Sequence, residues 1–153
     1  MNGHEDFLRE AVAIARQNVA EGGRPYGAVI VRDGEVVARA ANTIHSTNDP
    51  TEHAELAALR AASRRLGRPK LDDCVVYASG RPCPMCHAAM RLAGIREAYF
   101  AFTAEEAAAH GLLSAGIYAE LCRPLEEQPM PVRHLALSDE ASPYPDWAAR
   151  QGG

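Results

Sequence analysis

Four side chains in this sequence have the types and spacing to do chemistry. His53 and Glu55 sit in Glu52-His-Ala-Glu55, and Cys83 and Cys86 in Pro82-Cys-Pro-Met-Cys86. A C-x-x-C pair has three readings: a redox dithiol, half of a closed zinc knot, or part of an open metal site. A zinc ribbon requires a second C-x-x-C, which the sequence lacks. One histidine and two thiolates make a ligand set suited to zinc. Structural zinc takes four protein ligands, whereas catalytic zinc takes three and keeps a position open. A carboxylate beside the ligand histidine, itself off the metal, is what a hydrolytic site needs to move protons. Cys74 or Cys122 as a fourth ligand would close the site, but both read better as small apolar residues.

The elements that position these groups are legible from periodicity. Phe7, Leu8, Ala11, Ile14 and Ala15 recur at helical spacing, which predicts an amphipathic helix over 5–20, ended by Gly22-Gly23. The runs 27–32 and 35–41 flank Asp33-Gly34, the signature of a two-residue hairpin. Residues 43–48 read as a polar loop. Asp49, Pro50 and Glu52 form a capping-box pattern that predicts a helix over 50–66, stopped by Gly67 and Pro69. Strands are expected at 74–79, 95–102 and 132–137, with helices at 83–93 and 103–110 and a terminal helix or tail from 138. The sum is an α/β fold, three-layer α/β/α with a mixed sheet of about five strands.

On that reading both chemical motifs open helices. Cys83 and Cys86, at i and i+3, share a face, and the helix N-terminus favours their thiolates. His53 and Glu55 are about 200° apart around a helix, so they share a site only if the helix points its tip at it.

Bulk properties narrow the function classes. The 153 residues fit a single domain with a core of its own. No apolar run is long enough to span a membrane, and MNGHEDFLRE lacks the pattern of a secretory leader. Four cysteines without such a leader point to a reducing cytoplasm. The net charge of −4 argues against a polynucleotide partner, and the cluster Arg60, Arg64, Arg65, Arg68 and Lys70 reads as a solvated helix end.

The order H-x-E then P-C-x-x-C is the pattern of zinc deaminases acting on nucleobases. The sequence resembles the cytidine deaminase superfamily, and within it the guanine deaminase branch, along nearly its whole length. The resemblance is carried by GRPYGAVIVRDGEVVA (23–38), Asn42, STNDPTEHAELAALR (46–60), LDDCVVYASGRPCPMCHAAM (71–90) and the late IYAELCRP and SPYPDW. The tRNA adenosine deaminases share the first blocks loosely but not this tail.

The resemblance implies a Zn2+ cofactor held by His53, Cys83 and Cys86, with Glu55 as proton shuttle. It implies that Asn42 hydrogen-bonds the base, that Tyr26 packs on it and that the Ala54 N–H contacts it. Arg81, His87 and Ser114 are further candidate substrate contacts. It also implies a homodimer in which 138–153 is a swapped or capping segment. Guanine, converted to xanthine and ammonia, leads the substrates. Cytosine, isocytosine, another aminopurine, a pterin or a triazine are alternatives, as are a tRNA adenosine deaminase and a non-catalytic zinc or redox protein. Several purine-pocket groups of the branch are altered here. Arg81 stands for a glutamate, Leu92 for an aromatic, Ser114 for an aspartate, and the tail ends in Gly152-Gly153 where an aromatic closes the pocket.

Overall fold

The computed structural model describes residues 3–112 and 115–152. The chain divides into two compact units, Met1–Ala119 and Glu120–Gly153.

The first unit is built on a mixed sheet in the order β2-β1-β3-β4. β1 (Gly27–Arg32) and β2 (Glu35–Ala41) form the expected antiparallel hairpin. Asp33 and Gly34 both have positive φ, 51° and 79°, which gives the turn a twist that matches the strands. β3 (Cys74–Gly80) pairs antiparallel with β1 and parallel with β4 (Glu97–Phe102).

Alternation along β1 separates two cores. Ala28 and Ile30 face a cluster with Ala54, Ala58, Ala62, Leu71 and Met90. Val29 and Val31 face the other side, with Phe7, Ala11 and Tyr77. The first cluster is covered by α3 (Ala54–Leu66) and α4 (Pro84–Leu92), the second by α1 (His4–Ala20). The central strands β1 and β3 are therefore buried on both faces, as in the expected three-layer arrangement, while the edge strand β4 is largely exposed. Short helices α2 (Ile44–Thr47) and α5 (Ala104–Ala108) complete most of the unit, and α6 (Ala115–Leu121) runs out of it.

Two expectations change. The helix predicted over 50–66 begins at Ala54. Asp49 caps only a local turn, accepting from the Thr51 N–H at 2.8 Å and the Thr51 hydroxyl at 2.7 Å. The loop at 43–48 contains α2, closed by Asn48 in the left-handed conformation.

The second unit holds a 3-10 turn at Leu125–Glu127 and α7 (Tyr144–Gln151). Residues 132–137, expected as a fifth strand, are irregular, and Val132, Leu135 and Leu137 are exposed. A strand needs a ladder partner for its N–H and C=O groups, and apolar alternation alone does not supply one. Among the described residues no helix is long and apolar enough to cross a membrane.

Candidate metal centre and active site

Register places the site. β1 is antiparallel to both β2 and β3, so the C-terminal ends of β2, β3 and β4 lie at the edge of the sheet where β1 begins. Gly27 pairs with Ala41, Ala28 with Ala78, and Gly80 with Phe102. Tyr26, Asn42 and the loop from Gly80 to Cys83 therefore come together beyond one sheet edge. Ligands in open α/β sheets bind beyond the carboxyl ends of strands.

Two helix starts complete it. His53 is the N-cap of α3, with φ −75° and ψ 151°, and Cys83 is the N-cap of α4, with φ −68° and ψ 167°. His53 is thus extended rather than helical, which removes the angular conflict with Glu55. Pro84 occupies the first helical position of α4, where no N–H is needed, and Cys86 follows in its first turn. His53 Nδ1 lies 3.5 Å from Cys83 Sγ and 3.6 Å from Cys86 Sγ. All three ligand atoms fall within 4.8 Å of one another. Tetrahedral zinc with ordinary Zn–S and Zn–N distances has sulfur–nitrogen edges of about 3.5–3.6 Å. The donors therefore fit zinc in both chemistry and spacing.

The electrostatics suit a cation. Hydrogen bonds from the Cys86 thiol and the His53 ring hold the Cys83 thiol down, to about 4. The Cys86 thiol is pushed up, first by its bond to Cys83 and then by burial. The Cys83 hydrogen bond raises His53. Two sulfurs side by side resist a second negative charge, and a divalent cation between them relieves that. Cys74 is buried elsewhere, its thiol pushed up to about 11 by burial, and Cys122 is exposed; neither belongs to the cluster.

Glu55 is buried in the first turn of α3, its Oε2 3.5 Å from Cys86 Sγ. Burial raises its carboxyl above the ordinary carboxylate range. It lines a cavity of about 90 Å³ together with Tyr26, Asn42, His53 and Cys83. Arg24, Arg81 and Leu112 close the remaining walls. Asn42 is fully buried, and its Oδ1 accepts from the Ile44 N–H at 3.1 Å. That bond fixes the amide orientation and leaves the two Nδ2 donors for the cavity. Ala54 is fully buried as the first residue of α3, so its N–H has no intrahelical acceptor. Tyr26 approaches the Cys83 loop closely because residue 80 is glycine; a Cβ there would lie 3.2 Å from Tyr26 Cε1.

Other expected contacts divide. Arg81 lines the cavity. His87 does not: one residue past Cys86 on α4, it turns to the exposed face. Leu92 is 90% exposed at the end of α4. Ser114 lies outside the described residues. Asn18 is a supporting residue that sequence reading missed. It is buried on α1, and its Nδ2 donates to the Arg24 carbonyl at 2.7 Å and the Asn42 carbonyl at 2.8 Å. The available signal was a polar residue continuing the Ala11–Ala15 face. The basic cluster on α3 and beyond its end is dispersed into local contacts. Arg60 pairs with Glu52, Arg65 donates to the Val36 and Val37 carbonyls, and Arg68 pairs with Asp72 and Asp73.

Comparison with known proteins agrees with this geometry. The family profile described as the cytidine and deoxycytidylate deaminase zinc-binding region matches residues 1–102. A guanine deaminase of Bacillus subtilis is 41% identical over 145 residues, covering 94% of this chain and 93% of that protein. A tRNA-specific adenosine deaminase of Aquifex aeolicus is 39% identical over 98 residues, covering 64% and 65%. The crystal structure of guanine deaminase from Bacillus subtilis superposes with a TM-score of 0.91 at 41% identity, covering 97% of this chain and 95% of that one. A zinc-ligand cluster at two facing helix N-caps, a buried glutamate beside it, and a profile match over two thirds of the sequence lead to one conclusion: the chain belongs to the cytidine and deoxycytidylate deaminase family of zinc-dependent enzymes.

Proposed function

We propose that the protein is a hydrolytic deaminase of a free nucleobase or related aminated heterocycle, with guanine as the leading substrate and xanthine and ammonia as products. The observation that carries this is the buried Glu55 carboxylate, set against a three-ligand cluster at the wall of a small cavity. The likeness to Bacillus subtilis guanine deaminase along nearly the whole of both chains favours guanine among the bases.

His53 Nδ1, Cys83 Sγ and Cys86 Sγ would hold the metal. Bound zinc supplies a Lewis acid that brings the pKa of water down toward neutrality. Glu55 takes one proton from the attacking water and hands it to a ring nitrogen; it then takes the remaining hydroxyl proton and hands that to the amine, which leaves as ammonia as the ring carbonyl forms. Burial of its carboxyl favours holding a proton during the reaction. The Nδ2 of Asn42 donates to an acceptor on the ring edge, and the Ala54 N–H donates to the same substrate. Tyr26 packs on the ring face. The test is an ammonia-release screen of zinc-loaded protein over guanine, cytosine, isocytosine, pterins and triazines. Turnover of guanine supports the reading; inert guanine beside an active alternative replaces the substrate and keeps the mechanism.

The chain forms one deaminase domain whose C-terminal segment is exchanged in a homodimer. β4 is an edge strand with exposed Phe100 and Phe102, and residues 132–137 carry exposed apolar alternation without a ladder. Strand addition by the segment of a second copy satisfies both. Four unpaired cysteines suit a reducing cytoplasm.

A further inference from the structure

Two arginines line the catalytic cavity, Arg24 and Arg81. Among the described residues, neither lies within ion-pair distance of a carboxylate, although the chain carries a net charge of −4. Both residues are exposed, and both are held at the backbone. The Arg24 carbonyl accepts from Asn18 Nδ2 and from the Tyr26 N–H, at 2.7 and 2.8 Å. The Arg81 N–H donates to the Phe102 carbonyl at 3.0 Å, and its guanidinium lies 4.3 Å from the centroid of the Tyr118 ring. Tyr118 is tied to the metal loop through a hydrogen bond from its hydroxyl to the Pro82 carbonyl. A guanidinium stacked on an aromatic ring keeps its edge donors free for an anion. Arg81, Tyr26 and Leu112 also form the shared wall with a second cavity of about 600 Å³. The carboxylate of that cavity, Glu106, accepts from the Thr103 N–H at 2.6 Å and closes a capping box. Among the described residues, the sole carboxylate lining the catalytic cavity is Glu55, which the proposed reaction needs.

The geometry points to a class of substrate beyond guanine, an aminated heterocycle bearing an anionic oxygen group, received between Arg24 and Arg81, with Tyr118 as the residue that positions Arg81; guanine then stands as a neutral member that the same site also turns over. This rests on the deaminase reading above. The shared chemistry is an oxyanion, which a ring carboxylate or a pendant phosphate supplies. Planar bidentate recognition of either is what guanidinium groups do best.

The test compares matched neutral and anionic probes: pterin with pterin-6-carboxylate, and guanine with guanosine 5′-monophosphate. Ammonia release gives kcat/KM for each, and pterin fluorescence gives Kd in the Glu55→Gln variant, free of turnover. The expected result is a preference of about tenfold or more for an anionic member, seen in both kcat/KM and Kd and weakened by salt. Which pair shows it separates carboxylate from phosphate. Arg24→Met and Arg81→Met should each erase the preference. Arg81→Lys should keep part of it, and Tyr118→Leu should reduce it by loosening Arg81. Equal or better handling of the neutral members overturns the inference and leaves the deaminase reading standing, as does a preference indifferent to both arginines. Absence of turnover with every probe overturns this inference, and absence of turnover across the wider screen as well overturns the deaminase reading.

Discussion

His53 and Cys83 occupy the same position on two different helices. Each is an N-cap, and the ligand atoms they present lie 3.5 Å apart. Metal binding therefore ties α3 to α4, the two helices that cover one face of the sheet. This contact links chemistry to stability, because binding free energy at such a cluster is also folding free energy.

Cys83→Ala should accordingly lose zinc and melt at lower temperature than the zinc-loaded wild type. Cys122→Ser, outside the cluster, should keep about one zinc per chain. Metal analysis beside thermal unfolding checks both. A Cys83→Ala protein that retains stoichiometric zinc would remove Cys83 from the ligand set.

Asn18 supports the pocket from behind. Asn18→Leu leaves the buried Asn42 carbonyl without its side-chain donor, while the Arg24 carbonyl keeps the Tyr26 N–H, and a buried unsatisfied group costs about 1–3 kcal/mol. Urea unfolding should show a loss of that order, and KM should rise as Asn42 loses its anchor. An unchanged midpoint would mean that water replaces the amide at no cost.

Those two carbonyls also show where sequence reading stopped. The hairpin, α1, β3, α4 and β4 were legible because local periodicity and turn chemistry specify them. The grouping of His53, Cys83 and Cys86 with Glu55 was legible because zinc hydrolysis demands few residue types at fixed spacing. Asn18 was not, since one polar residue on an apolar helical face shows its partners only after folding. Asp49 misled: its side chain satisfies Thr51 within a turn as well as it would at a helix start. Residues 132–137 alternate like a strand, but pairing depends on a neighbour that sequence does not name. Arg81 read as a candidate substrate contact standing in place of a glutamate; what sequence did not show is that folding sets it on Tyr118 at the rim of the cavity.

Acid stability should carry the mark of Asp73. Its carboxyl is held down to about 2, first by the hydrogen bond from Arg68. A folded pKa below the unfolded value gives stability that is present above about 3.8 and lost as pH falls toward about 2. Arg68→Met removes the largest cause. The difference in urea midpoint between wild type and variant should be steady above pH 4 and shrink between pH 4 and 2. A difference that does not vary with pH would assign Arg68 a packing role only.

Removal of residues 124–153 deletes the exposed apolar segment proposed to pair with β4 of a second copy. Sedimentation equilibrium should then show a monomer where the full chain is a dimer. A full chain that sediments as a monomer would contradict the exchange outright.

The most direct test of the central claim is ammonia release from guanine by the Glu55→Gln variant, with zinc measured on the same sample. The account predicts that zinc stays at the wild-type level while turnover falls by about 10²–10⁴-fold, the worth of a positioned proton-transfer group. Undiminished ammonia release from the variant, or loss of zinc together with activity, would contradict it.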